Sequence, residues 1–251
     1  MKNLLENKVV HIIVSFGVLF AIWQLVVSVG NYNESLFPGP ASVTKGFFEL
    51  VKNGVLIKGI TDSMVRFAIG YLAAIVSAVL LGLLLGLSEV VWAFVNPVVQ
   101  FIRPISPIAW LPFIVLWFGI GDVPAIVIIF IAGFFPILLS TVTAVRRVDP
   151  IYLKVSNNFG LSRFTTLWKV IVPCVLPNIM TGIHLALGTA WVFLVAGEMV
   201  GAQSGLGYLI IDARNNLRMD LLLAAMVTIG AIGLLLDVLI GQLEKCIMKL
   251  F

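Results

Sequence analysis

Long uninterrupted apolar runs recur along this chain, and they constrain its fold more than any other feature. A run of about 20 apolar residues is long enough to cross the hydrocarbon core of a bilayer as a helix. In lipid every backbone N–H and C=O must be paired within the protein, so only helices or closed barrels can span. Barrel strands would give short alternating segments, whereas the runs here are continuous. The sequence therefore predicts an all-α integral membrane protein.

Composition supports this prediction and excludes other classes. Hydrophobic residues make up 61% of the 251 residues and charged residues only 11%, against about 25% charged in an ordinary soluble domain. The formal net charge of +4 could suggest nucleic acid. The Lys and Arg residues, however, are scattered over loops and termini without the basic face that nucleic-acid binding needs. We therefore expect the lipid bilayer, and no nucleic acid, as a partner.

We predict six spans in one domain over residues 1–251, with the core spans at about 64–243. The predicted spans are Val9 to Val29, Met64 to Leu87, Val91 to Phe118, Pro124 to Val145, Leu176 to Val200 and Leu221 to Leu243. The third contains four prolines, each of which removes a helical hydrogen bond and tends to kink or break a helix. It is either one kinked helix or two half-helices.

Charge placement and glycine spacing add two expectations. The segments on the side of the N-terminus hold more Lys and Arg than those opposite, which predicts that both termini are cytoplasmic. With this orientation Arg66 counts as an outer charge. Gly82 and Gly86 are one helical turn apart in the second span, a spacing that allows close helix packing. Between the first two spans, residues 42–52 have helical apolar spacing, which predicts an interfacial helix on the outer face.

A polar segment at 149–173 interrupts the apolar pattern between the fourth and fifth spans. It reads as two short helices joined by a glycine turn. Asp149 can cap the first helix, with Pro150 at its first position. Gly160 suits the left-handed residue that ends it, and Ser162 can cap the second helix.

The second short helix is expected to stop at Pro173. Phe159, Phe164, Leu167 and Trp168 form an apolar cluster in this segment. An amphipathic loop on the inner membrane surface is one reading. The cluster is larger than a solvated loop requires, which favours a protein partner.

The segment resembles the cytoplasmic motif of the transmembrane subunits of bacterial binding-protein-dependent ABC importers. That motif runs Glu-Ala-Ala, three residues, Gly, nine residues, Ile-x-Leu-Pro. This chain has Lys154-Val155-Ser156, then Gly160, then Val170-Ile171-Val172-Pro173, so the acidic residue and both alanines are replaced. Other stretches resemble the nitrate, taurine and alkanesulfonate subgroup, and the likeness covers most of the chain from about Phe37. These stretches are 103–112, 117–121, 196–199 and 205–207.

The resemblance implies a type I ABC importer permease fold and a division of labour among subunits. A homodimer in the bacterial inner membrane would form the pathway, and an extracytoplasmic binding protein would deliver solute to it. Two cytoplasmic ATPase subunits would hold ATP and Mg²⁺, and each would receive the segment 149–173. This chain has no Gly-rich loop ending in Gly-Lys-Ser/Thr that could cradle the nucleotide. The expected coupling residues are Lys154, Ser156, Asn157, Phe159, Gly160, Leu161, Ser162, Arg163, Phe164, Trp168 and Pro173.

Ionisable groups within spans usually face the bundle interior or a wet cavity. The Arg103 guanidinium can attract an oxyanion, or it can reach a lipid interface or pair with a carboxylate. Glu198 would repel an anion, so a role in helix packing or gating suits it better. Residues such as His184 and Asp237 are more often structural polar groups with satisfied hydrogen bonds. The candidate pathway residues are Arg103, Pro107, Trp110, Trp117, His184 and Glu198.

Trp110 and Trp117 are two helical turns apart. They could line one face of a helix, or anchor it at the membrane interface.

These features exclude an enzyme and leave two classes of transport protein. The sequence shows no nucleophile–base pair and no metal-ligand grouping, so we expect a transport subunit that is not an enzyme and binds no cofactor itself. A secondary transporter or channel is the alternative, and it predicts inverted repeats or paired intramembrane carboxylates. By resemblance the solute is nitrate, taurine or another sulfonate, with bicarbonate or a thiamine-precursor pyrimidine as the alternative.

Overall fold

A computed structural model describes residues 8–30, 33 and 36–249, and these residues form helices and connecting turns without a strand. The helices are α1 Lys8–Gly30, α2 Pro40–Lys52, α3 Val55–Leu87, α4 Glu89–Ile102, α5 Leu111–Phe118, α6 Asp122–Arg146, α7 Pro150–Asn158, α8 Arg163–Gly201, α9 Leu206–Asn215 and α10 Met219–Met248. The all-α prediction is confirmed. The chain packs as two compact units, one from the described part of 1–59 with 209–229, the other from 60–208 with the described part of 230–251.

Four of the described helices are long and apolar enough to cross a membrane, namely α3, α6, α8 and α10. A bent pair, α4 with the segment Pro107–Phe118, makes a fifth if it counts as one span. The first predicted span coincides with α1, in which Val14–Gly30 is the apolar stretch described in full. The number six therefore stays a prediction. The second span begins at Val55 rather than at Met64.

The third span is two helices bent by 83° relative to each other, the second of the two forms that the prolines allowed. Pro97 is accommodated inside α4. The break is the segment 103–106 between Ile102 and Pro107, in which Ser106 has φ −56° and ψ 133°. A residue that precedes proline is pushed out of the α region by the proline ring, so the helix cannot continue through Ser106.

The larger unit is built around α6 and α8, which pack along each other. Ile128 and Ile137 of α6 and Leu194 of α8 are fully buried. Many large apolar side chains on the outer helix faces are exposed, among them Leu72, Leu84 and Leu234. Hydrocarbon is a favourable environment for such faces, so the packing suits a protein embedded in lipid.

Two glycines of α3 permit its close approach to α6. A Cβ atom placed on Gly82 would lie 2.6 Å from Thr141 Cβ, and one placed on Gly86 would lie 2.6 Å from Val145 Cβ. Both distances are far below van der Waals contact. The prediction that these glycines serve helix packing is confirmed.

We expect Gly86→Ala to lower the free energy of unfolding by about 1–3 kcal/mol, because the added methyl group must displace Val145. Thermal unfolding of the purified protein in one detergent measures the effect. Gly188→Ala is the matched control, since nothing lies within 4 Å of its Cβ position. Val145→Ala combined with Gly86→Ala should recover part of the loss. Equal unfolding temperatures for Gly86→Ala and Gly188→Ala would contradict the close packing.

The smaller unit contains α2, and the helix predicted at 42–52 is confirmed with bounds Pro40–Lys52. Arg218 lies 2.7 Å from Glu49 of this helix and 2.9 Å from Asp220 at the start of α10. The hydrogen bonds that Arg218 donates to the carboxylates of Asp220 and Glu49 raise the pKa of Arg218. Its side chain is 42% exposed, so solvent screens the pair and its contribution to stability is small.

Candidate coupling element and pathway residues

The segment 149–173, here called the coupling element, forms two helices joined by a tight turn, as predicted. Asp149 Oδ1 accepts a hydrogen bond from the Ile151 amide at 2.8 Å, and Pro150 stands at the first position of α7. Gly160 has φ +67°, which a residue with a side chain adopts only under strain. The Leu161 amide donates to the Ser156 carbonyl and the Gly160 amide to the Asn157 carbonyl, the hydrogen bonds of a Schellman cap. Ser162 Oγ then accepts from the Thr165 amide and caps α8.

The helix pair carries an exposed apolar face, here called the aromatic face, formed by Phe159, Leu161, Phe164 and Trp168. Phe159 is 79% exposed and Phe164 is 72% exposed. The rings of Phe164 and Trp168 lie 6.2 Å apart. Single exposed apolar residues are ordinary, but several exposed large apolar residues within ten positions beside polar residues are typical of an interaction surface.

The other predicted coupling residues divide by exposure. Lys154, Asn157 and Arg163 are exposed beside the aromatic face. Ser156 is only 3% exposed, and its hydroxyl donates to the Tyr152 carbonyl. In this structure Ser156 therefore supports α7 from inside and offers no surface for a partner.

The expectation that Pro173 ends the second helix is wrong. The helix that begins at Arg163 continues to Gly201 over 39 residues. A π-helical turn at Leu167–Ile171 precedes the proline, and the Val172 amide donates five residues back to the Leu167 carbonyl. This wider turn accommodates a residue that lacks an N–H group and relieves the clash of its ring with the preceding turn. Two residues of the aromatic face, Phe164 and Trp168, are thus carried on the same continuous helix as a membrane span.

A buried ion pair joins α3 to α8 in the larger unit. Glu198 is fully buried and Arg66 is 3% exposed. Arg66 Nη1 donates to Glu198 Oε1 at 2.7 Å and Nε donates to Asp122 Oδ1 at 2.8 Å. The remaining donors of the guanidinium bind the carbonyl and the hydroxyl of Ser204. Every donor group of the guanidinium therefore has an acceptor.

The Glu198 carboxylate also accepts hydrogen bonds from two further groups. The Gly207 amide donates to its Oε2 at 2.9 Å, and Ser63 Oγ lies 2.8 Å from both carboxylate oxygens. Ser63 in turn accepts from the Leu206 amide. Two sequence stretches noted separately, 196–199 and 205–207, are thus parts of one buried network.

Arg66 counts among the outer charges in the sequence, which predicts neither its burial nor its pairing with Glu198. The signal that pointed to it was Glu198 itself, since a carboxylate inside a span requires a cationic or donor partner. Glu198 does not reach any open space in this structure. A packing or gating role fits its geometry better than contact with a solute.

His184 bridges α8 and α10. Its Nδ1 lies 3.0 Å from Glu244 Oε2 and its Nε2 lies 3.0 Å from Asp237 Oδ1. The two carboxylates lie on opposite sides of the imidazole ring, so the three residues do not converge on a common point where a metal could sit. The structural alternative for His184 and Asp237 agrees with this bridge, and Glu244 was not predicted from the sequence.

The remaining pathway candidates lie around the bend of the third span. Pro107 opens the 3₁₀ turn Pro107–Trp110. Trp110 is half-buried and packs against the cluster of Leu111, Ile114 and Ile128. Trp117 is 67% exposed, with its ring 6.2 Å from that of Phe113. The two tryptophans therefore lie in different environments. Arg103 follows α4 directly, and its side chain is exposed.

Comparison with known proteins agrees with this architecture. Residues 46–249 match the family described as binding-protein-dependent transport system inner membrane component. A putative aliphatic sulfonates transport permease of Bacillus subtilis is 33% identical over 93% of this chain and 84% of its own length. The taurine transport system permease of Escherichia coli is 30% identical over 96% of this chain and 90% of its own. A nitrate import permease of Synechocystis is 32% identical over the same shares.

Solved structures show the same fold. An inward-facing structure of the MetNI methionine ABC transporter superposes with a TM-score of 0.64 at 20% identity, over 78% of this chain and 95% of that one. An amino acid ABC transporter superposes with a TM-score of 0.58 at 16% identity, over 82% of this chain and 98% of that one. With a family match over most of its length and relatives above 30% identity, the chain belongs to the inner membrane components of binding-protein-dependent transport systems.

Proposed function

We propose that this chain is the permease subunit of an ATP-driven importer for a small anionic solute such as nitrate, taurine or an alkanesulfonate. Two identical copies form the pathway in a bacterial inner membrane, with both termini cytoplasmic. A solute-binding protein delivers the solute outside, and two ATPase subunits bind ATP and Mg²⁺ inside. The relatives named for sulfonates, taurine and nitrate support this solute class.

The observation that carries the coupling role is the continuity of α8. The exposed rings of Phe164 and Trp168 and a membrane span lie on one helix of 39 residues. A partner that binds the aromatic face can therefore move the span without bending a loop in between. Rigid elements of this kind transmit rotations between subunits.

The coupling residues follow from exposure. We assign contact with the ATPase to the exposed residues Lys154, Asn157, Phe159, Phe164 and Trp168. Gly160 and Ser162 hold the turn between the helices, and Ser156 braces α7.

Reconstitution of the complete complex tests the proposal. The permease, its ATPase and its binding protein are placed in proteoliposomes, and uptake of labelled taurine, nitrate and methanesulfonate is measured with and without ATP. We expect uptake only when ATP is present on the side of the membrane that carries the ATPase subunits. We also expect the solute-loaded binding protein to stimulate ATP hydrolysis. Uptake of bicarbonate or a pyrimidine in place of these anions would change the assigned solute class and keep the importer. Uptake driven by an ion gradient without ATP would overturn the proposal in favour of a secondary transporter.

A further inference from the structure

A groove of about 420 Å³ lies in the larger unit between the C-terminal half of α6 and the start of the membrane-spanning part of α8. We call it the basic groove and define it by its five polar lining residues, Arg103, Ser140, Thr143, Arg147 and Asn178. Its other lining residues are apolar, among them Pro136 and Leu139. Its size is within the range of small-molecule sites.

Charge distinguishes this groove. Two guanidinium groups line it, and its described lining residues include no carboxylate. In the part of the chain that the structure describes, Arg66, Arg146 and Arg218 each have a carboxylate within ion-pair distance. Arg103 and Arg147 have none among those described ion pairs. Cationic side chains that line a membrane-protein cavity without a counter-charge attract anions.

The neutral groups of the groove also suit an anion with oxygen atoms. Ser140 Oγ donates to the Asn178 carbonyl at 2.7 Å, which fixes the two helices against each other at the groove. The Asn178 amide and the Thr143 hydroxyl can each donate a hydrogen bond. Guanidinium groups bind planar and tetrahedral oxyanions through paired donors.

We propose that the basic groove binds the oxyanion group of the solute, a sulfonate or a nitrate, through Arg103 and Arg147. This inference rests on the proposed function, because it assigns a site to the same solute class. Arg147 follows α6 directly and Asp149 caps α7. The groove therefore ends beside the coupling element.

An anionic lipid headgroup has the same oxyanion chemistry, so the test must separate the two sources. The complex of permease and ATPase, free of nucleotide, is placed in nanodiscs of phosphatidylcholine alone. Trifluoromethanesulfonate serves as a probe, and its ¹⁹F line width is followed as the protein is titrated. We expect saturable broadening that methanesulfonate and nitrate reverse. The same titration in nanodiscs with phosphatidylglycerol should retain the binding.

Variants assign the signal to the groove. Arg103→Gln and Arg147→Gln should each weaken probe binding roughly 10-fold to 100-fold, since a hydrogen bond to a charged group is lost. Arg103→Lys and Arg147→Lys should restore part of the affinity, which shows that charge and not folding is measured. Arg146→Gln is the matched control, because that neighbouring guanidinium faces Glu89 at 3.7 Å and does not line the groove.

The outcomes decide between the two proposals. Three outcomes would overturn the assignment of the groove as a solute site. They are the absence of saturable probe binding, equal affinity in the glutamine variants, and loss of probe binding whenever phosphatidylglycerol is present. ATP-driven uptake that persists in those cases leaves the proposed function standing. Probe binding that depends on both arginines, without ATP-driven uptake of any oxyanion by the full complex, would instead contradict the proposed function while the groove stands.

Discussion

Arg66→Met should lower the free energy of unfolding by about 3–5 kcal/mol, the range found when one partner of a buried ion pair is removed. Glu198 is fully buried, so without the guanidinium its negative charge would be neither solvated nor paired. Ser63 and the Gly207 amide remain as donors but carry no charge. Thermal unfolding in one detergent, together with the monodisperse fraction after purification, measures the loss.

A double-variant cycle separates the lost ion pair from the lost volume. Arg66→Met combined with Glu198→Gln should be more stable than Arg66→Met alone, because a neutral amide keeps an acceptor for the Gly207 N–H without an unpaired charge. Arg214→Met is the matched control, since Arg214 is exposed, and it should change little. A double variant no more stable than Arg66→Met would refute the pairing of Arg66 with Glu198.

Phe159→Ala combined with Phe164→Ala should abolish ATP-driven uptake and co-purification with the ATPase. Both rings are more than 70% exposed on the aromatic face, so truncation removes apolar contact area with a partner and leaves the permease core intact. Buried aromatic anchors at interfaces commonly cost 2 kcal/mol or more each when truncated, roughly a 30-fold loss of affinity per ring. The co-purified ratio of ATPase to permease and the uptake rate are the two measurements.

Phe101→Ala is the control for this pair. Phe101 is 77% exposed but lies at the end of α4, away in sequence from the coupling element. It should retain the ATPase and most of the uptake. Full complex formation by the double variant would show that the aromatic face is not the contact surface. Unfolding temperatures equal to those of the unmodified protein would exclude a folding defect as the cause of any loss.

Local features of the coupling element were predictable because they depend on neighbours in the sequence. Asp149 caps α7, Gly160 takes a left-handed conformation and Ser162 caps α8, as their residue types and spacing indicated. Pro173 was predicted wrongly, because the π turn that accommodates it leaves no recognisable mark in residue type. The bend near Ser106 was foreseen as one of two alternatives, and the structure decided between them.

The sequence by itself determined that the chain forms apolar helices that cross a membrane, and where a polar element interrupts them. Hydropathy and capping are properties of short stretches, so they can be read without knowledge of the fold. Only the tertiary structure paired Arg66 with Glu198 across 132 positions, and only it brought Arg103 and Arg147 to one groove. Such contacts depend on which helices become neighbours and on their rotation, and that is decided by close packing at positions such as Gly82 and Gly86. The long apolar runs thus identify a membrane protein, and the packing of the helices that they form decides which charged residues meet.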